Sequence, residues 1–324
     1  MPALDEDAFR RLVEPHQPAL LAHCYRMLGS LHDAEDALQD TLLRAWRALP
    51  RLEDRGLLRA WLYRIATNVC LDALARRGPR TLPIEHGSSA ASREGPGEPL
   101  AESRWVGPYP DEQLGVEDGR EAPAARYDRR EAIELAFVAA LQHLPATQRA
   151  VLVLRDVLGF SARETAETLD TTAAAVNSAL QRARKTVEER LPERSQQATA
   201  RALGDQRVRR LVERYIDAWE SGDVQALASL LAEDATFAMP PYPRWWRGRH
   251  VIAAFAAEPK HRYLPARANG QPANAAYRWD PEKGIYAAEA LEVLTLDRNL
   301  IKEMTAFMAP DLFARFGLPQ ALPR

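Results

Sequence analysis

Asn177, Ser178, Gln181, Arg182 and Lys185 are a set of side chains suited to touching nucleic acid, and they recur at helical spacing. Val176, Leu180, Ala183 and Val187 interleave with them at the same period, so the polar set faces out and the apolar set faces in. A second set combines a polar stripe at i+4 steps, Arg64, Asn68, Asp72 and Arg76, with the rings of Trp61 and Tyr63. Basic groups hold a phosphate backbone, rings stack on unpaired bases, and an Asn amide bonds a base edge. Packing of Trp61 into a helical core fits the pattern equally, as does surface pairing of Asp72 with Arg76. A third set is acidic: Asp33, Asp36 and Asp40 fall at i, i+3 and i+7 on one helix face, either a docking face for a basic partner or a solvated face favoured by the helix dipole.

Other chemistry is poorly supplied. Asp234, Tyr242, His250, Tyr263 and Tyr277 are the types an acid–base site uses, yet no spacing among them makes a catalytic set, so no catalytic residue is assigned. Cys24 and Cys70 lie in apolar helical patterns, as buried thiols in a reducing compartment would, and no metal-ligand spacing occurs. Neither a cofactor nor a metal is expected.

The elements that must position these groups can be read locally. Ser161 precedes an apolar helical run and Glu164 follows three residues later, the pattern of a capping box. Leu169 closes that helix, Asp170-Thr171 turns the chain, and Thr172 caps a second helix carrying the nucleic-acid set. The small Ala166 lets the two helices cross closely, so 161–187 reads as a helix-turn-helix whose second helix enters a major groove. The acidic set opens a helix with the core stripe Ala34, Ala37, Leu38, Thr41, Leu42, Ala45 and Trp46. Leu58 to Arg77 forms the next helix, with Leu58, Leu62, Ile65, Val69 and Ala73 inward.

The chain of 324 residues divides into a helical segment 1–78, a Gly/Pro/Ser/Glu-rich linker 79–125 without a core of its own, a helical segment 126–192, a short polar bridge 193–204, and a C-terminal segment 205–324. The last opens with helices (Val208 to Glu220, Val224 to Leu231) and continues with β-type runs at Ala275–Trp279, Ile285–Leu296 and Leu300–Ala309, with a turn at Asp297-Arg298-Asn299. The expected architecture is two all-α domains followed by an α+β domain with helices on one face of a curved sheet. A net charge of -2 gives no global positive field, but arginines cluster at Arg59, Arg64, Arg76, Arg77 and Arg80 and again around Arg182 and Arg184. Early acids and the lack of a long apolar run argue against a signal peptide and a membrane span, and for the cytoplasm.

DAEDALQDTLLRAWRAL (33–49) and LRAWLYRIATNVCLDALARR (58–77) resemble the core of bacterial sigma factors of the extracytoplasmic-function class. LPATQRAVLVLRDVLGFSARETAETLDTTAAAVNSALQRARKTV (144–187) resembles their second DNA-binding domain. The resemblance implies a promoter-specificity subunit of RNA polymerase. Asp33, Asp36 and Asp40 would dock on the clamp helices of the largest polymerase subunit, and the factor would also meet the flap region. Trp61, Arg64, Asn68, Asp72, Arg76 and Arg77, with the loop 51–57, would melt and read the minus-ten element. Thr172, Asn177, Ser178, Gln181, Arg182 and Lys185 would read the minus-thirty-five element.

ATFAMPPYPRWWRGRHVIAAF (235–255) and ANGQPANAAYRW (268–279) resemble the SnoaL-like domain fused to a subset of these factors, a cone-shaped α+β fold shared with ketosteroid isomerases. The linker piece Trp105 to Asp111 is similar to a signature of that subset. Trp105, Tyr109, Asp111, Trp245 and Trp246 are the expected regulatory contacts, through which the C-terminal domain packs on the sigma domains or the linker. Two rival readings are a stand-alone DNA-binding regulator with a ligand-sensing C-terminal domain, and an enzyme carrying a DNA-binding head.

Overall fold

The computed structural model describes all residues except 1–5, 53, 91–94, 102–103, 115–130 and 258–260. Residues 115–125 of the expected linker and 126–130 of the second helical segment therefore lie outside it. The chain forms two compact units, one made of Met1–Arg80 and Glu112–Pro192, the other of Thr81–Asp111 and Glu193–Arg324.

The first unit is helical: α1 Glu6–Val13, α2 Gln17–Leu28, α3 Leu31–Ala48, α4 Leu58–Leu74, α5 Leu135–Gln142, α6 Ala146–Leu152, α7 Ala162–Thr168 and α8 Ala173–Glu188. Local chemistry sets the boundaries. Gly29 ends α2 at φ 71°, a left-handed position that costs glycine nothing, and an added Cβ there would meet Gln142 and Arg80. Ser30 then caps α3 by accepting from the Asp33 amide at 3.3 Å. Ser161 and Glu164 form the reciprocal box that opens α7. Thr172 caps α8 by accepting from Ala175 at 3.2 Å, and Asp170 makes the intervening turn at φ 50°.

Helix α4 stops at Leu74 rather than Arg77. Pro79 disfavours helical geometry just before it, and both Arg77 and Arg80 are drawn to the Asp33 carboxylate. The expected core stripe of α3 is also corrected at its end. Trp46 is exposed and meets Phe9 edge-on at 5.1 Å.

The second unit contains α9 Gln196–Leu203, α10 Asp205–Ser221, α11 Val224–Leu230, α12 Arg249–Ala253, and β1 Leu231–Ala238, β2 Trp245–Arg247, β3 His261–Ala268, β4 Gln271–Asp280, β5 Ile285–Asp297, β6 Leu300–Phe307 and β7 Ala321–Leu322. The strands form one sheet in the order β2-β1-β6-β5-β4-β3, with β7 on β5. Only the β1–β6 pair is parallel among these; the others are antiparallel. Val208, Leu211, Val212, Tyr215 and Trp219 of α10 pack with Leu227 of α11 on Ala276, Ala290, Leu294 and Met304 of the sheet. This is an α+β domain with helices over one sheet face, as the strand runs suggested.

Two expectations about connections fail. The polar bridge 193–204 contains α9, because Gln196 pairs both its amide atoms with the backbone of Leu296 (3.0 and 2.7 Å). Those polar side chains point inward, so the segment carries no apolar period to recognise. The linker is likewise not coreless: Trp105, Val106 and Tyr109 are buried within the second unit.

Candidate nucleic-acid interface

Helix α8 presents Asn177, Ser178, Gln181, Arg182 and Lys185 to solvent, while Val176, Leu180, Ala183 and Val187 are buried beneath them. Thr172 is exposed and uses its hydroxyl as the helix cap. What fixes the helix is a residue the sequence reading counted only as basic. Arg184 turns inward and forks onto Asp156, donating from Nε at 2.8 Å and Nη2 at 2.7 Å. Asp156 is buried, on a π-helical turn Val153–Val157 that widens the backbone after α6.

On α4, Arg64, Asn68 and Asp72 are exposed and Trp61 is half-buried, while Arg76 and Arg77, also exposed, lie just past the helix end. Asp72 pairs across helices with Arg44 at 3.1 Å, and Arg77 with Asp33. Tyr63 is not an open stacking platform. It is buried, edge-on to Phe160 at 5.6 Å and to His23 at 5.3 Å, and Arg59 lies over both the Tyr63 and Phe160 rings at 5.1 and 4.9 Å. In the segment 51–57, 3-10 turns span Leu49–Arg51 and Arg55–Leu57, and Glu53 lies outside the described residues.

The acidic face of α3 is smaller than expected. Asp36 and Asp40 are exposed, but Asp33 is buried between Arg77 and Arg80. Burial alone would raise the Asp33 pKa; the two guanidinium groups overcome that and hold the carboxyl below its ordinary value. Asp33 is thus a structural anion. Leu43, 54 % exposed and in line with Asp36 and Asp40, adds an apolar contact that the sequence reading missed. An apolar residue at an outward helical position was the available signal.

A buried polar seam joins the two helical modules of this unit. Arg149 on α6 donates to the carbonyl of Met27, to Gln142 Oε1 at 2.6 Å, and to the carbonyls of Gln142 and Leu144 at 3.0 and 3.2 Å. Arg26 donates to the carbonyl of Ala132 at 3.0 Å. Burial pulls the Arg149 pKa down to about 10, so it stays charged near neutrality. His23, in contact with Thr67 Oγ1 at 3.0 Å, is pulled to about 3, first by burial and then by Arg26, and stays neutral.

In the second unit, Asn269 and Gly270, at φ 57° and 68°, make the β3–β4 hairpin turn. That turn grips the linker: the Tyr109 amide donates to Asn269 Oδ1 at 2.9 Å, the Asn269 amide to the Tyr109 carbonyl at 2.8 Å, and the Gly270 amide to Asp111 Oδ1 at 2.6 Å. Arg267 Nε reaches Asp111 Oδ2 at 3.0 Å. Trp105 is buried against His86, and Trp245 Nε1 donates to the His86 carbonyl at 3.3 Å. Trp246 is different: it is wholly buried in the domain core against Phe237 and Phe255.

The acid–base candidates are scattered. Asp234 is exposed and paired with Lys302 and, at 3.7 Å, Arg247. His250 is exposed, Tyr242 is half-buried, Tyr263 packs on Trp219, and Tyr277 packs on Phe313. The unusual acid is Glu292, buried on β5 opposite Asn274. Burial pushes its pKa up to about 7, against the opposing effect of Tyr215 and Asn274 beside it. The run Ala-Leu-Glu-Val-Leu hid it, since one Glu in a buried strand has no periodic signature.

Among the described residues no helix is long and apolar enough to cross a membrane, and no cluster of His, Cys, Asp or Glu could hold a metal ion.

Residues 12–80 match the family model of Sigma-70 region 2, residues 129–187 that of Sigma-70 region 4, and residues 212–304 that of the SnoaL-like domain. The chain is 40% identical to the ECF RNA polymerase sigma factor SigG of Mycobacterium tuberculosis, over 97% of this chain and 85% of that one. The chain belongs to the extracytoplasmic-function sigma factors. It is also 30% identical to the sigma factor SigE of Mycolicibacterium smegmatis, over 62% of this chain and 66% of that one. Its fold resembles the crystal structure of the Mycobacterium tuberculosis extracytoplasmic function sigma factor SigJ, with a TM-score of 0.56 and 22% identity over 98% of this chain and 100% of that one. The region 2 match takes in α2 to α4, the region 4 match α5 to α7 and nearly all of α8, and the SnoaL-like match lies within the second unit, which also holds most of the linker.

Proposed function

We propose that Asp36, Asp40 and Leu43 dock this sigma factor on core RNA polymerase, that Trp61, Arg64, Asn68, Asp72, Arg76 and Arg77 engage the minus-ten element, and that α8 reads the minus-thirty-five element in the major groove. The factor acts in the cytoplasm, where polymerase and promoter are. The observation that carries the reading is the five-residue polar face of α8, held in orientation by the Arg184–Asp156 fork.

The fused domain acts as a restraint on this machinery, not as a catalyst. The two promoter elements lie about 25 base pairs apart, roughly 85 Å of duplex. A compact body of about 160 residues is roughly 40 Å across. Regions 2 and 4 held together through Arg149 and Tyr63–Phe160 cannot reach both elements, so initiation requires that seam to part. The linker joining them is held by Asn269 and Gly270, which limits how far they separate. Freeing the linker shifts the balance toward the separated form.

Run-off transcription with purified core polymerase tests both parts. Wild-type protein supports promoter-dependent transcripts; Asp111→Ala with Asn269→Ala raises their yield without changing affinity for core polymerase. Absence of a stable complex with core polymerase overturns the first part, and unchanged yield overturns the second.

A further inference from the structure

Helix α10 has a face that packing and initiation leave unused. Val208, Leu211, Val212, Tyr215 and Trp219 fix one side of it on the sheet. On the other, Arg207, Arg209, Arg210 and Arg214 are all exposed, and none of their side chains has a hydrogen-bond or ion-pair partner among the described residues. Glu213, four residues after Arg209, is exposed as well and forms no pair with it. All the cations of the helix are arginines, whose planar fork matches a phosphate group.

One placement opposes what helix stability favours. Arg207 lies in the first turn of α10, at the positive end of the backbone dipole, and Glu220 sits at the negative end, where the Tyr263 amide and Arg262 hold it. Only Asp205 is placed as the dipole prefers. The dipole gives Arg207 no support, and no carboxylate among the described residues pairs with any of the four arginines.

Arg207, Arg210 and Arg214 share one ridge at i, i+3 and i+7, about 10 Å long at 1.5 Å per residue. Duplex DNA advances 3.4 Å per phosphate along a strand, so about three phosphates fit the same length. Residues 189–204, α9 included, connect α8 to α10. With eight of them helical they span at most about 40 Å, or roughly 12 base pairs.

We propose that the arginine face of α10 is a third DNA contact, gripping the phosphate backbone of duplex that flanks the site read by α8. It carries no base specificity and adds affinity through counterion release. It rests on the reading of α8 as the minus-thirty-five reader, and the fused domain then contributes directly to promoter binding.

The test uses holoenzyme assembled from the full chain and core polymerase, on labelled promoter duplexes between about 50 and 200 mM salt. The variant is Arg207→Gln with Arg210→Gln and Arg214→Gln. Three lost phosphate contacts flatten the log–log salt slope by about 2.7, so over this range the wild type loses about 40-fold more affinity than the variant. Trimming the duplex at the end of the minus-thirty-five element on the flanking side abolishes the difference. An unchanged slope with normal promoter binding overturns this proposal alone. A defect in binding core polymerase without DNA also overturns it, because the face then meets acidic protein. Holoenzyme that forms yet binds no promoter sinks the α8 reading and this proposal with it.

Discussion

Arg184 and Asp156 form a two-point bond from the inner side of α8 to a buried carboxylate on the preceding π turn. The exposed residues of α8 proposed to read DNA are therefore aimed from behind. Asp156→Ala removes the two-point bond to a partly buried guanidinium and costs about 2 kcal/mol, discounted because Arg184 is about a third exposed. Denaturant unfolding reads that loss. Promoter affinity falls as well, although no exposed side chain of α8 has changed.

The acids of α3 separate by role. Asp36→Lys weakens core polymerase binding, more at low salt than at high, and Leu43→Asp weakens it with less salt dependence. Asp33→Ala instead removes the buried carboxylate between Arg77 and Arg80 and lowers the melting temperature, with little effect on the affinity of folded protein for polymerase. Titrations at two ionic strengths, with melting curves, distinguish the three.

Arg182→Ala weakens binding to the preferred promoter by about 1–3 kcal/mol and relaxes preference at one base pair. Equal weakening on all sequences identifies a phosphate contact instead. Asn68→Ala slows promoter opening and leaves polymerase affinity intact, as permanganate reactivity and equilibrium binding would show.

Glu292 gives the C-terminal domain a pH dependence. Its folded pKa, about 7, lies above the ordinary 4.5, so folding favours its protonated form. The stabilising contribution is complete below about pH 4.5 and is lost as pH rises through about 7, a change on the order of 3 kcal/mol. Glu292→Gln removes this slope: the variant is more stable than wild type at pH 8, and the difference shrinks toward pH 5. Unfolding monitored at several pH values checks the sign.

Much of this was legible in sequence because periodicity and caps are local. Ser161, Glu164 and Thr172 announce two helices, and the alternation of inward and outward residues on α8 survives intact in the fold. Long-range partners left no such trace. Asp33 has the spacing of a surface acid, and only the approach of Arg77 and Arg80 makes it internal. Gln196 and Gln197 read as solvated because their acceptors, on Leu296 and Gly270, lie 100 and 73 residues away. Strands β1 and β3 were missed because their composition is mixed and β3 is half-exposed at the sheet edge.

The capture of Tyr109 and Asp111 by the β3–β4 turn has a temporal consequence. The grip links positions about 160 residues apart, and the turn leaves the ribosome long after regions 2 and 4 have been made. On the proposed reading, the helices that meet the promoter exist for a time during synthesis with their leash untied. Newborn protein and finished protein then differ, on that reading, in their freedom to meet polymerase, by chain order alone.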